Sequence, residues 1–444
     1  MTREEATLRL LLVTDSYPPF VGGADRQVQR IAYAMRDRGH EVWVVTPWQP
    51  GLAAREDDAG VTVCRPRSLA SRVTWFSRDP SRRHHPPLPD PGTMRGVREA
   101  VRELRPDVVH SYGWVTYSVG AALWRSTIPV LVSARDYSHI CPVRNYLHVS
   151  GQVCSGPAPV KCLGCAVATY TLDDAGNAVL GRTDLPTTLR NRVKGAAKGT
   201  LATVAVIAGR PLVLHRMRGL HSVSAFVRTV MERHLLGDSA GTVPHEVIPS
   251  FLDEDPRDAP DPAVLARMPT EPYILFVGAL LPGKGIYQLL DAYASLGPDR
   301  PPLALLGPAI HSSPTSLPEG AIWLGSVTHA TVLAAWDGAL FGVVPSVGAE
   351  TFGSVVTEAM SRGRPVIASR LGGIVDIIRH GTDGLLVPPG DVPELARAMR
   401  TLLADPDRRR MMGDAARVRA EDFRAERVLS RFEALYRRVA AAPR

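Results

Sequence analysis

Short apolar runs alternate along this chain with segments whose apolar residues recur at helical spacing. The runs LRLLLVT, EVWVV, PVLVS, YILFV and GLLV are uninterrupted, which is typical of strands that are buried on both faces of a sheet. Between the first two runs, Val28, Ile31, Ala32 and Met35 fall on one face of a helix. The regular alternation predicts an α/β fold with parallel sheets.

A stretch rich in proline and aspartate divides the chain. The segment DEDPRDAPDPAVLARMPTEP lacks a long apolar pattern and therefore has the character of a linker. A chain of 444 residues is long for a single core, so two domains are expected. The predicted division is a first domain over 1–252, a linker over 253–270, a second domain over 271–424 and a final helix over 425–444.

The stretch from Pro345 to Gly390 contains the clearest candidate site. An apolar run ends at Pro345, a loop of small residues follows, and a helical pattern begins at Ser354. Glu350 lies in the loop and Glu358 about one turn into the helix, so both carboxylates are expected beyond the carboxyl end of a strand, where open α/β sheets bind ligands. The residues whose backbone N–H groups are predicted to face a phosphate at this helix start are Phe352, Gly353 and Ser354.

The two carboxylates extend this prediction from a phosphate to a nucleotide sugar. Carboxylate oxygens accept hydrogen bonds from neighbouring hydroxyls, which makes Glu358 a candidate ligand of a ribose and Glu350 a candidate ligand of a sugar. Val327, at the exit of another apolar run, is a candidate contact of the nucleotide base.

This glutamate pair, with the following PVIAS and LGGIVDII, resembles the E-x(7)-E motif of retaining glycosyltransferase family 4. The segment PPFVGGADRQV, followed by RGHEV, resembles the opening of the same family. The resemblance implies two Rossmann-like domains that face each other across a cleft, the GT-B fold, with the last helix crossing back to the first domain. It further implies that Gly22 and Gly23 face the donor phosphates and the acceptor, and that Lys284 contacts the donor diphosphate.

Two departures from the family pattern affect the prediction of catalytic residues. The family usually has an arginine shortly before Lys284, whereas this chain has Ala279, so either another cation assists or the leaving group is stabilised less. Family members often have two histidines one residue apart near the reacting centre, whereas this chain has His110 and Tyr112. Both are candidate catalytic residues, and the alternative for His110 is a structural role at the end of a buried strand.

Arg135 follows another predicted strand, at the sheet edge where substrate groups gather. The fork of donors on its guanidinium suits a phosphate or a carboxylate, and an internal ion pair with Asp136 is the alternative.

The cysteines predict a metal site in an insertion over 139–165. One C-x(2)-C element and two further cysteines can close a tetrahedral thiolate shell, which favours structural zinc over an iron–sulfur cluster. A similar insertion occurs in a subset of family 4 enzymes, and free structural thiols are the alternative. The predicted ligands are Cys141, Cys154, Cys162 and Cys165.

The charge balance narrows the partners only in part. A net charge of +8 suits phosphate-rich substrates or anionic lipid, and no nucleic-acid-binding signature is present. No apolar run reaches the length of a membrane span, so a cytoplasmic protein is expected. The basic and apolar stretch over 185–218 could lie in a membrane interface or form a core helix with a solvated basic face; the interfacial alternative would place the protein at the inner face of the membrane with a lipid-linked acceptor.

Together these features predict a retaining glycosyltransferase that moves a sugar from a nucleotide diphosphate sugar to an acceptor hydroxyl in the synthesis of a glycan, a glycolipid or a glycosylated metabolite. No catalytic divalent metal is expected, because backbone dipoles and a lysine serve the phosphates. The alternatives are a nucleotide-sugar epimerase or hydrolase of the same fold, and a nucleotide-sugar-binding module without catalysis. A dinucleotide-dependent oxidoreductase is disfavoured because no G-x-G-x-x-G fingerprint follows the first strand.

Overall fold

The computed structural model of the chain describes residues 7–19, 23–69, 85–174, 189–252, 259–309 and 312–441. Gly22 and the first part of the predicted linker lie outside these residues. Two mainly parallel sheets organise the described residues, and most of their central strands are buried along their whole length.

The first sheet has eight strands in the spatial order 3-4-2-1-5-6-7-8. All neighbouring pairs are parallel except the third with the fourth, which are antiparallel. The strands are β1 (Arg9–Thr14), β2 (Glu41–Val45), β3 (Arg55–Asp58), β4 (Val61–Cys64), β5 (Val108–Tyr112), β6 (Val130–Ala134), β7 (Met217–Ser222) and β8 (His245–Val247).

Helices connect these strands in the manner of repeated βαβ units. The helices in this part of the chain are α1 (Gly23–Asp37), α2 (Pro91–Leu104), α3 (Val115–Ala122), α4 (Pro159–Asp174), α5 (Leu189–Arg216) and α6 (Ala225–Met231). Helices α4 and α5 are inserted between β6 and β7. Residues 175–188, which connect these two helices, are outside the described ranges.

The second sheet has six parallel strands in the spatial order 11-10-9-12-13-14. They are β9 (Tyr273–Val277), β10 (Leu303–Leu306), β11 (Ala321–Gly325), β12 (Ala339–Val344), β13 (Val366–Ser369) and β14 (Gly384–Val387). The helices of this part are α7 (Pro262–Leu265), α8 (Ile286–Ala294), α9 (His329–Gly338), α10 (Ser354–Ser361), α11 (Val392–Ala404), α12 (Pro406–Ala420) and α13 (Ala425–Ala441).

The last helix, α13, packs on the first sheet rather than the second. Phe432, Leu435 and Tyr436 are fully buried in the same apolar cluster as Leu10 of β1 and Val44 of β2. The core of the first half is therefore completed by residues from the far end of the chain.

Direct contacts join the two halves across a cleft. The Tyr137 hydroxyl donates to the carbonyl oxygen of Ala349 at 3.1 Å. The backbone N–H of Ala225, at the start of α6, donates to the Asp376 carboxylate at 2.6 Å. Burial raises the pKa of Asp376, although the backbone N–H groups of α6 oppose that shift. These contacts hold the loops of the second sheet against the first half.

His110 and Tyr112 form part of a buried network that α13 covers. Nδ1 of His110 lies 2.7 Å from the Tyr436 hydroxyl and 2.8 Å from the Tyr112 hydroxyl, and its Nε2 lies 2.7 Å from the Ser133 hydroxyl. Ser133 continues the network to Nδ1 of His221 at 2.7 Å. Both histidine side chains are completely buried. The structure thus places His110 and Tyr112 in the core beneath α13, which favours the structural alternative for His110, and their catalytic role stays a prediction.

This network predicts a loss of stability in acid. Burial lowers the pKa of His221 to about 3, so the folded state excludes a proton that the unfolded state binds below its ordinary pKa of about 6.5. The contribution of His221 to the free energy of unfolding is therefore fully present above its ordinary pKa of about 6.5, and it is lost as the pH falls from about 6.5 towards 3. From pH 7 to pH 5 this group should remove about 2 kcal/mol, measurable by urea unfolding. His221→Asn, which does not titrate, should lose correspondingly less; equal losses in both proteins would contradict this assignment.

Candidate functional site

A cavity of about 590 Å³ lies between the two halves of the chain. Its walls contain residues of α1, of the loops after β6 and β8, and of the loops and helices around the second sheet. The predicted site residues that line it are Arg135, Lys284, Val327, Glu350, Phe352, Gly353, Ser354 and Glu358. The sequence-based selection of these residues thus coincides with one cavity.

Lys284 stands on a turn that is fixed to the loop carrying Glu350. The backbone N–H groups of Val347 and Gly348 donate to the carbonyl oxygen of Gly283 at 3.1 and 3.0 Å. The next residue of the turn, Gly285, has a φ of +73°, and a Cβ atom there would overlap the carbonyl oxygen of Pro345. A glycine is needed at this point because the two loops are in backbone contact.

The Lys284 ammonium and the Glu350 carboxylate form a close ion pair. Nζ donates to Oε1 at 2.6 Å, and the Ser346 hydroxyl donates to the same oxygen at 2.7 Å. Burial tends to raise the pKa of Glu350, but the opposing effects of Lys284 and Ser346 leave that pKa below its ordinary value. Glu350 is therefore a fixed anion, and Lys284 remains partly exposed to the cavity.

The loop after Glu350 turns sharply into α10. Gly353 precedes the helix with a φ of +101°, a backbone conformation that side chains other than glycine rarely adopt. The Glu350 carbonyl oxygen accepts a 2.7 Å hydrogen bond from the N–H of Gly373. The eight-residue α10 thus presents its positive end to the cavity. Glu350 lies beside it and is fixed by hydrogen bonds to both its carboxylate and its backbone carbonyl oxygen.

Glu358 lies within α10 and faces a histidine that sequence analysis did not select. Its Oε1 lies 3.4 Å from Nε2 of His329, the first residue of α9. Glu358 and His329 both line the cavity, as does Val327 in the segment before α9. The helix-forming pattern around His329 gave no sign of this contact, because it joins the start of α9 to the middle of another helix, α10.

Arginines from the first half line the cavity opposite Lys284. Arg135 donates from its NH2 group to the Ser250 hydroxyl at 2.8 Å, and Arg26 lies in the first turns of α1. Gln27, next to Arg26, also lines the cavity, and its side-chain amide donates to the carbonyl oxygen of Phe251 at 2.8 Å, which joins α1 to the loop after β8. Two further cations thus line the cavity in which Lys284 lies. Arg26 was not selected from the sequence, although its place after the glycine loop was a usable signal.

Family models match both halves of the chain. Residues 21–149 match the model described as Glycosyltransferase Family 4, and residues 271–405 match the model described as Glycosyl transferases group 1, together more than half of the chain. The chain belongs to the GT-B glycosyltransferases.

Relatives and solved structures agree with this membership. The sulfoquinovosyl transferase of Arabidopsis thaliana is 35% identical over 163 residues, which cover 35% of this chain and 31% of that protein. The sucrose-phosphate synthase of Thermosynechococcus elongatus has a TM-score of 0.67 at 19% identity over 98% of this chain and 100% of its own. HepE of Anabaena, solved with UDP and glucose, has a TM-score of 0.63 at 16% identity over 96% of this chain and 99% of its own. At these identities the solved structures establish the fold, and the predicted GT-B arrangement is confirmed.

The first glycine of the predicted donor loop, Gly22, lies outside the described residues, and Gly23 is the first residue of α1. The predicted role of this pair therefore stays a prediction, and Arg26 and Gln27 of α1 line the cavity.

The four cysteines predicted to bind zinc do not assemble into a metal site. Among the described residues no group of three or more His, Cys, Asp or Glu side chains is placed to hold a metal ion. Cys162 and Cys165 lie on α4, where Cys162 accepts the N–H of Ala158, and the N–H of Gly156 donates to the sulfur of Cys154. Burial raises the pKa of Cys141 to about 11 and so favours its neutral thiol. Neither a structural zinc, nor an iron–sulfur cluster, nor membership of a four-cysteine subset is therefore supported.

Proposed function

We propose that this GT-B glycosyltransferase transfers a sugar from a nucleotide diphosphate sugar to an acceptor hydroxyl with retention of the anomeric configuration. The observation that carries this proposal is the single cavity in which Lys284, Glu350, Glu358 and the start of α10 come together. We assign Glu350 to the sugar, Lys284 and the start of α10 to the diphosphate, and Glu358 to the ribose of such a donor.

The diphosphate is assigned to the space between Lys284 and the start of α10. A lysine is a compact point charge, and the first N–H groups of a helix point at an anion without side chains. The side chain of Lys284 is 40% exposed, so it can turn from Glu350 to a phosphate oxygen. Arg135, on the opposite wall, adds a planar donor group of the kind that binds phosphate through two bonds.

The two carboxylates are assigned to hydroxyls at the two ends of the donor. Glu350 is anionic and adjacent to the proposed diphosphate position, so it can accept hydrogen bonds from the transferred sugar. Glu358 lies farther along α10 beside His329 and is assigned to the ribose. Val327 is assigned to the face of the base.

The proposed reaction needs no covalent enzyme intermediate. The bond between the anomeric carbon and the distal phosphate oxygen breaks, and the acceptor oxygen bonds to the same carbon from the face that the diphosphate leaves. The acceptor proton passes to an oxygen of the departing nucleoside diphosphate. Lys284 and the N–H groups at Gly353 then stabilise the charge that develops on that leaving group.

Replacement of Glu358 tests the assignment of the nucleotide. Glu358→Gln should weaken binding of nucleoside diphosphates by about 10- to 100-fold, because a hydrogen bond to a charged acceptor contributes about 1.5–3 kcal/mol. The measurement is a thermal-shift titration with UDP, ADP and GDP, since binding raises the melting temperature. Glu394→Gln, on α11 away from the cavity, is the control. Equal affinity in the two variants would remove Glu358 from the site.

Product analysis decides between transfer and its alternatives. Release of a nucleoside diphosphate that depends on an added acceptor supports transfer, whereas release without acceptor would indicate a hydrolase. Sugar isomerisation without release would indicate an epimerase. Nucleotide binding with no turnover across a panel of donors and acceptors would favour a binding module.

A further inference from the structure

The long helix α5 is packed on one side through its glycines. A Cβ atom at Gly195 or Gly199 would overlap Thr171 or Val167 of α4, and one at Gly209 would overlap the ring of Tyr117 in α3. At 28 residues the helix is about 42 Å long. Its first part therefore rests on α4 and its later part on α3, and the opposite side remains uncovered.

The uncovered side of α5 is a continuous apolar stripe. Leu189, Val193, Val204 and Ile207 are 77%, 62%, 56% and 46% exposed. Their spacing, with exposed Thr200 between the two pairs, follows one face of a helix. An apolar face of this length exposed on a soluble protein marks an interaction surface.

Helix α4 contributes further exposed apolar side chains at one end of this stripe. The Thr203 hydroxyl of α5 donates to the carbonyl oxygen of Cys162 in α4 at 3.5 Å, which sets the level at which the two helices meet. Val160 and Leu163 of α4, which are 85% and 37% exposed, therefore lie near the level of Val204. We define the docking surface as Leu189, Val193, Val204 and Ile207 of α5 with Val160 and Leu163 of α4.

The charges of α5 identify the class of partner. The helix contains no aspartate or glutamate. Its positive residues are Arg190, Arg192, Lys194, Lys198, Arg210 and Arg216. Lys198 is buried, and Arg210 and Arg216 donate to the carbonyl oxygens of Leu235 and Ile128, so the positive charge beside the stripe lies at its first end, where Arg190 is exposed and Lys194 is half-buried. An apolar helix face with basic residues at one end and no acidic residue in the helix complements a surface that is apolar inside and negatively charged outside, as an anionic lipid bilayer is.

The packing of α5 favours docking on a bilayer over crossing it. The segment Arg192–Arg216 is long and apolar enough to span a membrane, but 44% of its most apolar window is buried inside the protein. Lys198 is buried against the rest of the first half, and Gly209 is in contact with Tyr117 of α3. Crossing a membrane would break these contacts, whereas docking leaves them intact.

The docking surface is attached to the half of the molecule opposite the donor-binding elements. Helix α3, on which α5 rests, begins where the N–H groups of Trp114 and Val115 donate to the Asp15 carboxylate at 3.0 and 2.7 Å. Asp15 directly follows β1, at the carboxyl edge that faces the cleft. A bilayer in contact with α5 would thus be fixed relative to the acceptor side of the cleft.

We propose that the docking surface binds the chain peripherally to an anionic membrane, so that a lipid-linked acceptor reaches the cleft from the bilayer. The identity of the acceptor rests on the proposed transferase function; the docking itself does not. Arg190 and Lys194, at the start of α5, attract the lipid headgroups, and the apolar stripe enters the boundary between headgroups and acyl chains.

Vesicle flotation without any donor tests the docking. The full chain is mixed with vesicles of phosphatidylcholine alone, or of equal parts phosphatidylcholine and phosphatidylglycerol, at low and high salt. We expect binding to the anionic vesicles that weakens with salt. The double variant Val204→Asp/Ile207→Asp should reduce it by at least about tenfold, because two apolar side chains no longer leave water. Val418→Asp, at another exposed apolar helix position that is 73% exposed, is the matched control.

The outcomes separate this proposal from its competitors and from the proposed function. Wild type that stays unbound with both vesicle types overturns the docking, as does equal loss in the control variant. Concentration-dependent dimers by light scattering, abolished by the double variant without vesicle binding, would make the surface an interface between two copies. Nucleotide binding by the thermal-shift titration is measured on the same proteins; if it persists while flotation fails, only the docking is overturned.

Discussion

Lys284→Met should lower kcat/KM by about 10²- to 10³-fold, the cost typical of removing one preorganised group that stabilises a transition-state anion. The charge on the departing diphosphate grows as its bond to the sugar breaks, so kcat should fall by more than KM rises. The same change leaves Glu350 without its 2.6 Å partner. Initial rates of nucleoside diphosphate release, measured over a range of donor concentrations, give both constants.

Lys161→Met is the matched control for this change. Lys161 donates to the Ser155 hydroxyl at 2.9 Å and does not line the cavity. With a water-soluble acceptor it should keep wild-type constants. A Lys284→Met enzyme that keeps kcat and raises only KM would show that the lysine binds the donor without stabilising the departing charge.

Gly285→Ala should lower the free energy of unfolding by about 4 kcal/mol. Part of that cost, about 1–2 kcal/mol, is the left-handed backbone at a φ of +73°. The remainder comes from the overlap of the new Cβ atom with the carbonyl oxygen of Pro345, which forces the Lys284 turn away from the Glu350 loop. Urea unfolding measures the stability loss, and activity should fall with it because the ion pair is displaced.

Gly297→Ala isolates the two contributions to this effect. Gly297 has a φ of +98°, but no atom lies within 4 Å of the position that a Cβ atom would take there. The substitution should therefore cost only the backbone part, about 1–2 kcal/mol, and leave activity unchanged. If both variants lose the same stability, the contact between the two loops contributes nothing measurable.

The fold class could be predicted because its signal is local and repeated. A parallel sheet covered on both faces needs short apolar runs, and helices that pack on it need one apolar face, so every unit carries its own pattern. The loop around Glu350 could be selected for the same reason, since a strand, a glycine and a helix start lie within a few residues of each other.

Sequence periodicity could not reveal that His110 and Tyr112 are buried in the core. Both side chains point to the same face of β5, since they are two residues apart. That face is covered by α13, which contributes Tyr436 from more than three hundred residues away, as the separation of 326 positions shows. A strand buried on both faces has no pattern that distinguishes a core face from a cleft edge.

The zinc prediction failed because spacing gives no information on backbone conformation. Four cysteines in a glycine- and proline-rich segment suggested a flexible loop that could wrap an ion. Instead Cys162 and Cys165 lie on one helix, and Cys154 is in a turn before it. Conversely, Arg26 and His329 line the cavity without a motif of their own: Arg26 comes from α1 in the first half, and His329 from the start of α9 in the second.

The return of α13 to the first sheet means that the first half is not an independent module. A polypeptide that stops before residue 425 would leave Leu10 and Val44 without Phe432, Leu435 and Tyr436, the side chains that cover them. During synthesis the first half must therefore remain incompletely packed until residues 425–441 have been made. Chimeras that exchange donor-binding halves between such enzymes should therefore keep the terminal helix with its acceptor-side host.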